Sequence, residues 1–347
     1  MDTRTREFVA SGFTVAIFLA VQLGALALVG PFKTSGYQTV EDPSDPTNSL
    51  VYIGVILVFT AGMLLVIKLG VEWILRAIII VTSGMLSLYV FSVVIPDVVT
   101  VTLGGTAFNV VAWGAAALVS VALLLYPEWY VIDSAGVVMG AGAAGLFGIS
   151  FGLLPAILLL AVLAVYDAIS VYGTEHMLTL ASGVMDLKIP VILVIPLSLS
   201  YSFIEDTVQA TSEGAVNEDG MEERGTSKDE MNQEAVDGGE GTEHETDAED
   251  HSRDAFFIGL GDAVMPTVMV ASAAFFSPAE PLVSGIALNL PALTAMVGTL
   301  VGLVILLWMV MKGRAHAGLP LLNGGAIGGY LLGALASGIP LLKALGL

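Results

Sequence analysis

The chain has 347 residues, of which 56% are hydrophobic and only 13% are charged, and its mean hydropathy is +0.86. These values exclude an ordinary soluble globular domain and indicate an integral membrane protein. Cysteine is absent from the sequence, which excludes disulfides, thiolate metal sites and a cysteine nucleophile.

Apolar runs long enough to cross a bilayer as helices recur along almost the whole chain. They predict an all-α polytopic membrane protein with nine transmembrane helices, at about 8 to 32, 50 to 70, 72 to 96, 100 to 126, 131 to 149, 153 to 173, 255 to 277, 284 to 311 and 317 to 342. The fifth is rich in glycine and alanine, which favours close packing at the centre of the bundle. The first is too long for the apolar core of a signal peptide.

Pro190 to Ser200 is also apolar, but it is too brief to cross a membrane and contains two prolines. We interpret it as a re-entrant, interfacial or edge-pairing segment. Asp133, at the start of the fifth helix, is most simply a charge that complements the helix dipole.

The distribution of Lys and Arg predicts the orientation of the spans. With the N-terminus in the cytoplasm, ten of these residues fall inside and only Lys33 and Lys343 fall outside. Nine spans then leave the C-terminus outside the cytoplasm, in a multi-pass protein of the cell membrane.

Most of the formal net charge of −20 belongs to one loop. Between Glu205 and Asp254 there are 18 acidic residues and three basic ones, too polar a mixture to fold. We therefore divide the chain into residues 1–202 with six spans and the short apolar segment, a disordered cytoplasmic loop at 203–254, and residues 255–347 with three spans.

Asp167 and Asp262 lie inside apolar spans, where a carboxylate is costly and usually functional. The helices that carry them are consecutive and run in opposite directions. Asp167 is about six residues before the cytoplasmic end of its span and Asp262 about seven residues after the start of the next, so both lie roughly 9 to 11 Å below the same face. The sequence therefore predicts a carboxylate pair.

Two carboxylates in one site cannot both ionise cheaply, so one holds a proton while the other remains a base. Such a pair can activate water and protonate an oxyanion without a metal or a cofactor. Gly259 and Gly261 flank Leu260 directly before Asp262, and their missing Cβ atoms would let water or an extended backbone approach. Ordinary glycine packing between helices is the simpler alternative. Tyr166 could hydrogen-bond near the pair or anchor its helix at the interface.

These residues resemble the presenilin and signal peptide peptidase family of GxGD intramembrane aspartyl proteases. The likeness rests on Tyr166-Asp167, on Gly259-Leu260-Gly261-Asp262 after a long loop, and on nine spans. PEWYVID (Pro127 to Asp133), LAVYDAISVY (Leu163 to Tyr172) and GLPLLNGGAI (Gly318 to Ile327) are most similar to archaeal presenilin homologues.

The family has a Pro-Ala-Leu motif at the start of its ninth helix. A literal Pro291-Ala292-Leu293 occurs in the predicted eighth span, where we interpret it as a helix-start proline. By order and context the corresponding position is Pro320-Leu321-Leu322. The resemblance implies substrate-positioning roles for Tyr166, Gly259, Leu260 and Gly261, and for Leu319, Pro320, Leu321 and Leu322.

The resemblance implies a protease that uses Asp167 and Asp262 to cut transmembrane-helix peptides or signal-peptide remnants within the lipid bilayer. We expect neither a nucleic-acid partner nor a metal; a homo-oligomer is compatible with the sequence. A cation- or proton-coupled transporter could use the same carboxylates, but no internal repeat typical of transporters is visible. A noncatalytic scaffold for membrane helices is a third alternative.

Overall fold

The computed structural model describes residues 3–69, 71–103, 106–172, 192–197, 201–202, 255–283, 285–312 and 317–347. These residues form a mostly helical bundle. Its long elements are α1 (Thr3–Thr34), α2 (Thr47–Lys68), α3 (Glu72–Val94), α4 (Val110–Leu125), α5 (Trp129–Ser150), α6 (Leu153–Tyr172), α7 (Leu260–Phe276), α8 (Leu290–Val310) and α9 (Leu319–Ala336). Short elements are β1 (Thr100–Leu103), β2 (Thr106–Asn109), β3 (Ile192–Pro196), β4 (Ala255–Gly259) and α10 (Leu341–Ala344).

Within the described ranges, seven helices are long and apolar enough to cross a membrane, namely α1, α2, α3, α5, α6, α8 and α9. The helices α4 and α7 are apolar but shorter, at 16 and 17 residues. The predicted acidic loop at 203–254 lies outside the described residues, as do five of the basic residues that determined the orientation: Lys188, Arg224, Lys228, Arg253 and Arg314.

The predicted fourth span is wrong over its first ten residues. Residues 100 to 109 contribute β1 and β2, which pair antiparallel with Thr100 opposite Asn109, and helix α4 begins only at Val110. Alternating threonine and apolar residues favour strand, because β-branched side chains fit the pleated surface. Asn109 then caps α4, since its side chain accepts hydrogen bonds from the backbone N–H groups of Val111 and Ala112.

The predicted seventh and ninth spans also begin or end in other structure. Ala255–Gly259 is strand β4, and α7 starts at Leu260 without an intervening loop. The ninth helix stops at Ala336 and is followed by Gly338, whose φ of 74° terminates the helix, and by the short α10. A backbone with positive φ suits glycine because it has no Cβ.

Helix α5 lies at the centre, as its composition predicted. It is the most buried of the seven candidate spans. Ala144 of α5 packs with Ala25 of α1 and with Val264 and Val268 of α7. An added Cβ at Gly148 would collide with Cβ of Ala271 and lie 3.1 Å from its carbonyl carbon, so the small residue allows α5 and α7 to touch. The three helices form the inner layer of the bundle.

In the apolar segment from Pro190 to Ser200, the described residues 192–197 contain a strand, which agrees with the edge-pairing alternative. β3 pairs antiparallel with β4, with Ile192 opposite Gly259 and Pro196 opposite Ala255. Leu193, Val194 and Ile195 are buried, so the small sheet packs into the bundle on α5. Because β4 continues directly into α7, this sheet fixes the start of the helix that carries Asp262.

Helices α8 and α9 pack through glycine against glycine. A Cβ on Gly298 would collide with the carbonyl of Gly325, and a Cβ on Gly325 would collide with the carbonyl of Gly298. Both helices have a proline in their first turn, Pro291 in α8 and Pro320 in α9. The prediction that Pro291 is a helix-start proline is confirmed.

Candidate functional site

Asp167 is directed into the bundle from α6 toward the start of α9. Asp167 is only 6% exposed, whereas the neighbouring Tyr166 is 44% exposed. The backbone N–H of Leu319 donates a hydrogen bond to Oδ2 of Asp167 at 3.0 Å. The Gly318 amide also interacts with this carboxyl group. The first turn of a helix has amides without helical partners, and here they orient the carboxyl group of Asp167.

Asp262 lies in the first turn of α7, immediately after the strand-to-helix junction at Gly259. Its carboxyl group faces Gly318, the residue before α9 whose amide interacts with Asp167. A Cβ built on Gly318 would lie 3.6 Å from Oδ2 of Asp262, and one built on Gly259 would lie 3.5 Å from that oxygen. The two glycines therefore leave room around the Asp262 carboxyl group.

The carboxyl groups of Asp167 and Asp262 thus meet at the Gly318–Leu319 backbone. The Leu319 amide donates to Asp167, and Oδ2 of Asp262 lies on the open side of Gly318, 3.6 Å from where a Cβ would stand. The two aspartates also interact electrostatically. The structure brings together the two residues that the sequence selected, although they belong to α6 and α7.

Pro266 interrupts the hydrogen-bond ladder of α7 one turn beyond Asp262. Proline has no N–H, so Pro266 cannot donate to the carbonyl of Asp262, its normal partner four residues earlier. The helix continues nevertheless, and Thr267 donates a side-chain hydrogen bond to the Ala263 carbonyl at 2.6 Å. The turn that holds Asp262 therefore has fewer restraints than a regular helix start.

The predicted positioning residues surround the pair at different depths. Gly261 is exposed, and a Cβ there would meet nothing within 4 Å. Leu260 is half-buried against Gly136 and Gly140 of α5. Leu319, Pro320 and Leu321 are half-buried, whereas Leu322 is fully buried in a cluster with residues of α1 and α8.

Three further residues tie α6 to the start of α9 and were not selected from the sequence. Gly318 contributes its amide and its missing Cβ. The Tyr172 hydroxyl accepts a hydrogen bond from the Ala317 N–H at 3.3 Å. Buried Asn323 donates through Nδ2 to the Leu160 carbonyl at 3.0 Å. Gly318 and Asn323 stand inside GLPLLNGGAI, so the motif located them without indicating their contacts.

Asp133 has a different role from the one predicted. It lies beyond the first turn of α5 and is only 4% exposed. Its Oδ1 accepts a hydrogen bond from the backbone N–H of Val194 in β3 at 2.8 Å. The interpretation as a simple helix-dipole charge is therefore wrong, because one carboxylate oxygen, Oδ1, accepts a hydrogen bond from a strand amide, while Oδ2 is buried without a hydrogen-bond partner among the described residues.

Among the described residues, no group of three or more His, Cys, Asp or Glu is arranged to hold a metal ion. The groups described at the site are the two carboxyl groups, the amides of Gly318 and Leu319, and the open faces of Gly259, Gly261 and Gly318.

The fold and site define a class: polytopic helical membrane proteins with two aspartates that meet inside the bundle. The family model for signal-peptide peptidase, presenilin aspartyl protease matches residues 15–339. The chain belongs to this family and is an intramembrane aspartyl protease of the multi-pass type.

Two solved structures of a presenilin family intramembrane aspartate protease are similar to this chain. The one in space group C222 is 32% identical, covers 94% of this chain and 99% of its own, and has a TM-score of 0.60. The one in space group P2 is 34% identical, covers 93% and 96%, and has a TM-score of 0.58. A comparison with curated proteins gives no match.

Proposed function

We propose that Asp167 and Asp262 are the catalytic dyad and that they hydrolyse peptide bonds of transmembrane helices or signal-peptide remnants. The observation that carries this proposal is the meeting of both carboxyl groups at Gly318 and Leu319. A carboxyl pair in one water-poor site is suited to hold a single proton, which is the state that acid–base hydrolysis requires.

In the proposed reaction, the ionised aspartate takes a proton from a water molecule as its oxygen attacks the scissile carbonyl carbon. The protonated aspartate donates its proton to the carbonyl oxygen, which forms a tetrahedral intermediate. When the C–N bond breaks, the aspartate that took the water proton gives it to the leaving nitrogen, and the other aspartate takes a hydroxyl proton from the intermediate. The products are a carboxylic acid and an amine, and the pair again holds one proton. The Leu319 amide keeps the Asp167 carboxyl group oriented throughout.

A substrate helix must unwind locally before it can react, because its peptide groups are occupied by their own hydrogen bonds. The β3–β4 sheet supports a role in holding the unwound chain, since a strand can add to a sheet edge. β3 is already paired with β4 and its Val194 amide is occupied. The exposed Gly259, at the end of β4, lies three residues before Asp262 and is where an added strand would reach the dyad.

The predicted positioning residues fit this arrangement in two ways. Gly259 and Gly261 would admit an extended backbone, and Leu260 would hold the junction against α5. Pro320 starts α9 without donating an amide, while Leu319 and Leu321 are accessible enough to contact a substrate. Leu322 would act through packing, and Tyr166 would contact substrate or lipid from the outer face of α6.

We also propose the number of membrane crossings and the side on which each terminus lies. Nine crossings with a cytoplasmic N-terminus and an extracytoplasmic C-terminus follow if α4 and α7 also cross, each extended by the strand that precedes it. The dyad would then work near the cytoplasmic face. The motifs that resemble archaeal homologues, together with the acidic segment, support an archaeal, high-salt origin. A homo-oligomer is compatible with this topology.

The test is reconstitution of the full chain in lipid vesicles with a labelled single-span peptide. We expect Asp167→Asn and Asp262→Asn each to lower the cleavage rate at least about 100-fold, as the loss of an acid–base group does. Asparagine preserves the shape of aspartate and, at residue 167, an acceptor for the Leu319 amide.

Asp97→Asn is the matched control, because Asp97 is exposed in the loop after α3. It should cleave at the wild-type rate. Cleavage that survived either substitution in the pair would contradict the dyad. Cation-coupled uptake that both substitutions abolished, without proteolysis, would instead favour the transporter.

A further inference from the structure

Two buried carboxylates at the start of α5 take no part in the proposed hydrolysis. Glu128 is 6% exposed and Asp133 is 4% exposed. Burying a carboxylate is costly unless it accepts hydrogen bonds. Oε1 of Glu128 accepts from the Ser202 hydroxyl at 2.8 Å, and Oδ1 of Asp133 accepts from the Val194 N–H at 2.8 Å. Asp133 therefore binds β3 itself, and Glu128 binds Ser202, which follows β3 in the chain.

The Val194 hydrogen bond identifies the edge of β3 that Asp133 occupies. In an antiparallel pair, a residue directs its backbone N–H and C=O either both toward the partner strand or both away from it, in alternation. Val194 pairs with Phe257 in register, but its N–H goes to Asp133. The carboxylate therefore takes the place of a third strand on the side of β3 that faces α5.

The same face of α5 also supports the junction beside Asp262. Asp133, Gly136 and Gly140 are three and seven residues apart, so they lie on one side of the helix. A Cβ on Gly136 would lie 2.9 Å from Cδ2 of Leu193, and a Cβ on Gly140 would lie 3.3 Å from Cδ1 of Leu260. This face, which we call the Asp133 face (Asp133, Gly136 and Gly140), holds β3 and Leu260 together.

We propose that Asp133 is a positioning residue that sets which peptide bond of a substrate is cut, by fixing the β3–β4 sheet relative to Asp262. The inference rests on the proposed function. β4 is joined covalently to α7 at Gly259, so release of β3 from α5 would change the direction in which β4 meets Asp262. Because a strand advances about 3.4 Å per residue, a small change of this kind would present a neighbouring peptide bond of a substrate strand paired with β4 to the dyad. The bond chosen is then determined by the Asp133 face as well as by the aspartates.

The test compares two substitutions of similar size in the full-length protein in lipid vesicles. Asp133→Asn keeps an oxygen that can accept the Val194 N–H. Asp133→Leu removes the acceptor and leaves that N–H without its partner. With a labelled single-span peptide, mass spectrometry of both products locates the cut bond, and initial rates give kcat and KM.

We expect Asp133→Asn to release the same product ends as the wild type. Asp133→Leu should release additional ends displaced by one or more residues and raise KM about 10-fold with little change in kcat, as loss of ground-state positioning does. A role in stability alone would lower the yield of folded protein without moving the product ends.

Gly136→Ala tests the same face independently, because its Cβ would push Leu193 away while leaving Asp133 intact. Gly62→Ala is its control, since a Cβ on Gly62 of α2 meets nothing within 4 Å. Gly136→Ala should also shift the product ends and Gly62→Ala should not. If Asp133→Leu does not fold, Gly136→Ala decides by the same criterion.

Two results would overturn the proposal in distinguishable ways. Unchanged product ends in the active, folded Asp133→Leu and Gly136→Ala proteins would contradict the positioning role and leave the dyad intact. Cleavage that survives Asp262→Asn would contradict the dyad, and this inference would fail with it.

Discussion

Gly318 is the residue at which the two aspartates meet, and its lack of a side chain matters there. Its φ of −79° and ψ of −46° are available to any residue, so backbone conformation does not require glycine. The neighbouring side chains leave little room for a larger residue. A Cβ at this position would lie 3.3 Å from Cδ2 of Leu306, which is tight, and 3.6 Å from Oδ2 of Asp262, which is ordinary van der Waals contact.

We predict that side chains at residue 318 slow cleavage in proportion to their size. Gly318→Ala should lower kcat/KM about 10-fold and Gly318→Val about 100-fold, because small displacements of reacting groups have effects of this order. Initial rates with a labelled single-span peptide measure the change. Gly324→Ala on the same helix is the control, since a Cβ there meets nothing within 4 Å. Wild-type rates for Gly318→Val would contradict the site geometry.

At the scale of residues, the sequence located Asp167 and Asp262 because a carboxylate in an apolar run is energetically exceptional. It did not reveal the partners of Asp167. Those partners are the backbone amides of Gly318 and Leu319, and a backbone amide leaves no mark on the choice of side chain. Asp133 was misread for the same reason, because its partner is the amide of Val194.

The contact between α8 and α9 depends on glycines that face one another. Gly325 approaches Gly298 so closely that a Cβ on Gly325 would lie 2.9 Å from the carbonyl carbon of Gly298. The close atoms are backbone atoms of both helices, so an added Cβ could be accommodated only if a whole helix moved. In lipid, close approach of this kind is a main source of helix association.

We predict that Gly325→Ala destabilises the folded protein by about 1–3 kcal/mol, as overpacking of a close contact does. Thermal unfolding in detergent micelles measures the effect as a lower midpoint. Gly328→Ala, three residues further along α9, should leave the midpoint unchanged, because a Cβ there has open space. Equal midpoints for the two variants would contradict the glycine contact.

At the scale of elements, hydrophobic runs predicted the helices well and the strands poorly. The segment 255 to 259 is apolar and adjoins a helix, so its periodicity cannot be distinguished from an extension of that helix. The segment 100 to 109 alternates threonine with apolar residues, but it also adjoins a long apolar run, and the prediction joined the two. Pairing with another strand makes each segment a strand rather than a helix. Thr100 pairs with Asn109, and Ala255 pairs with Pro196. The partner of β4 lies more than fifty residues away, beyond the reach of a local pattern.

The absence of cysteine from the whole sequence makes the predicted orientation directly testable. Each introduced thiol would be the sole one in the protein. We predict that Ser44→Cys reacts with a membrane-impermeant thiol reagent added outside intact cells, because it follows the first predicted crossing. Ser212→Cys, in the acidic segment, should react only after the membrane is permeabilised. The opposite pattern would contradict a cytoplasmic N-terminus.

The hydrogen bond from Leu319 to Asp167 joins residues 152 positions apart in the chain. During synthesis, Asp167 and Asp262 are made before residue 319. A growing chain therefore holds both aspartates but lacks the amide that orients the first of them. The protein therefore completes its site only when its last long helix is in place.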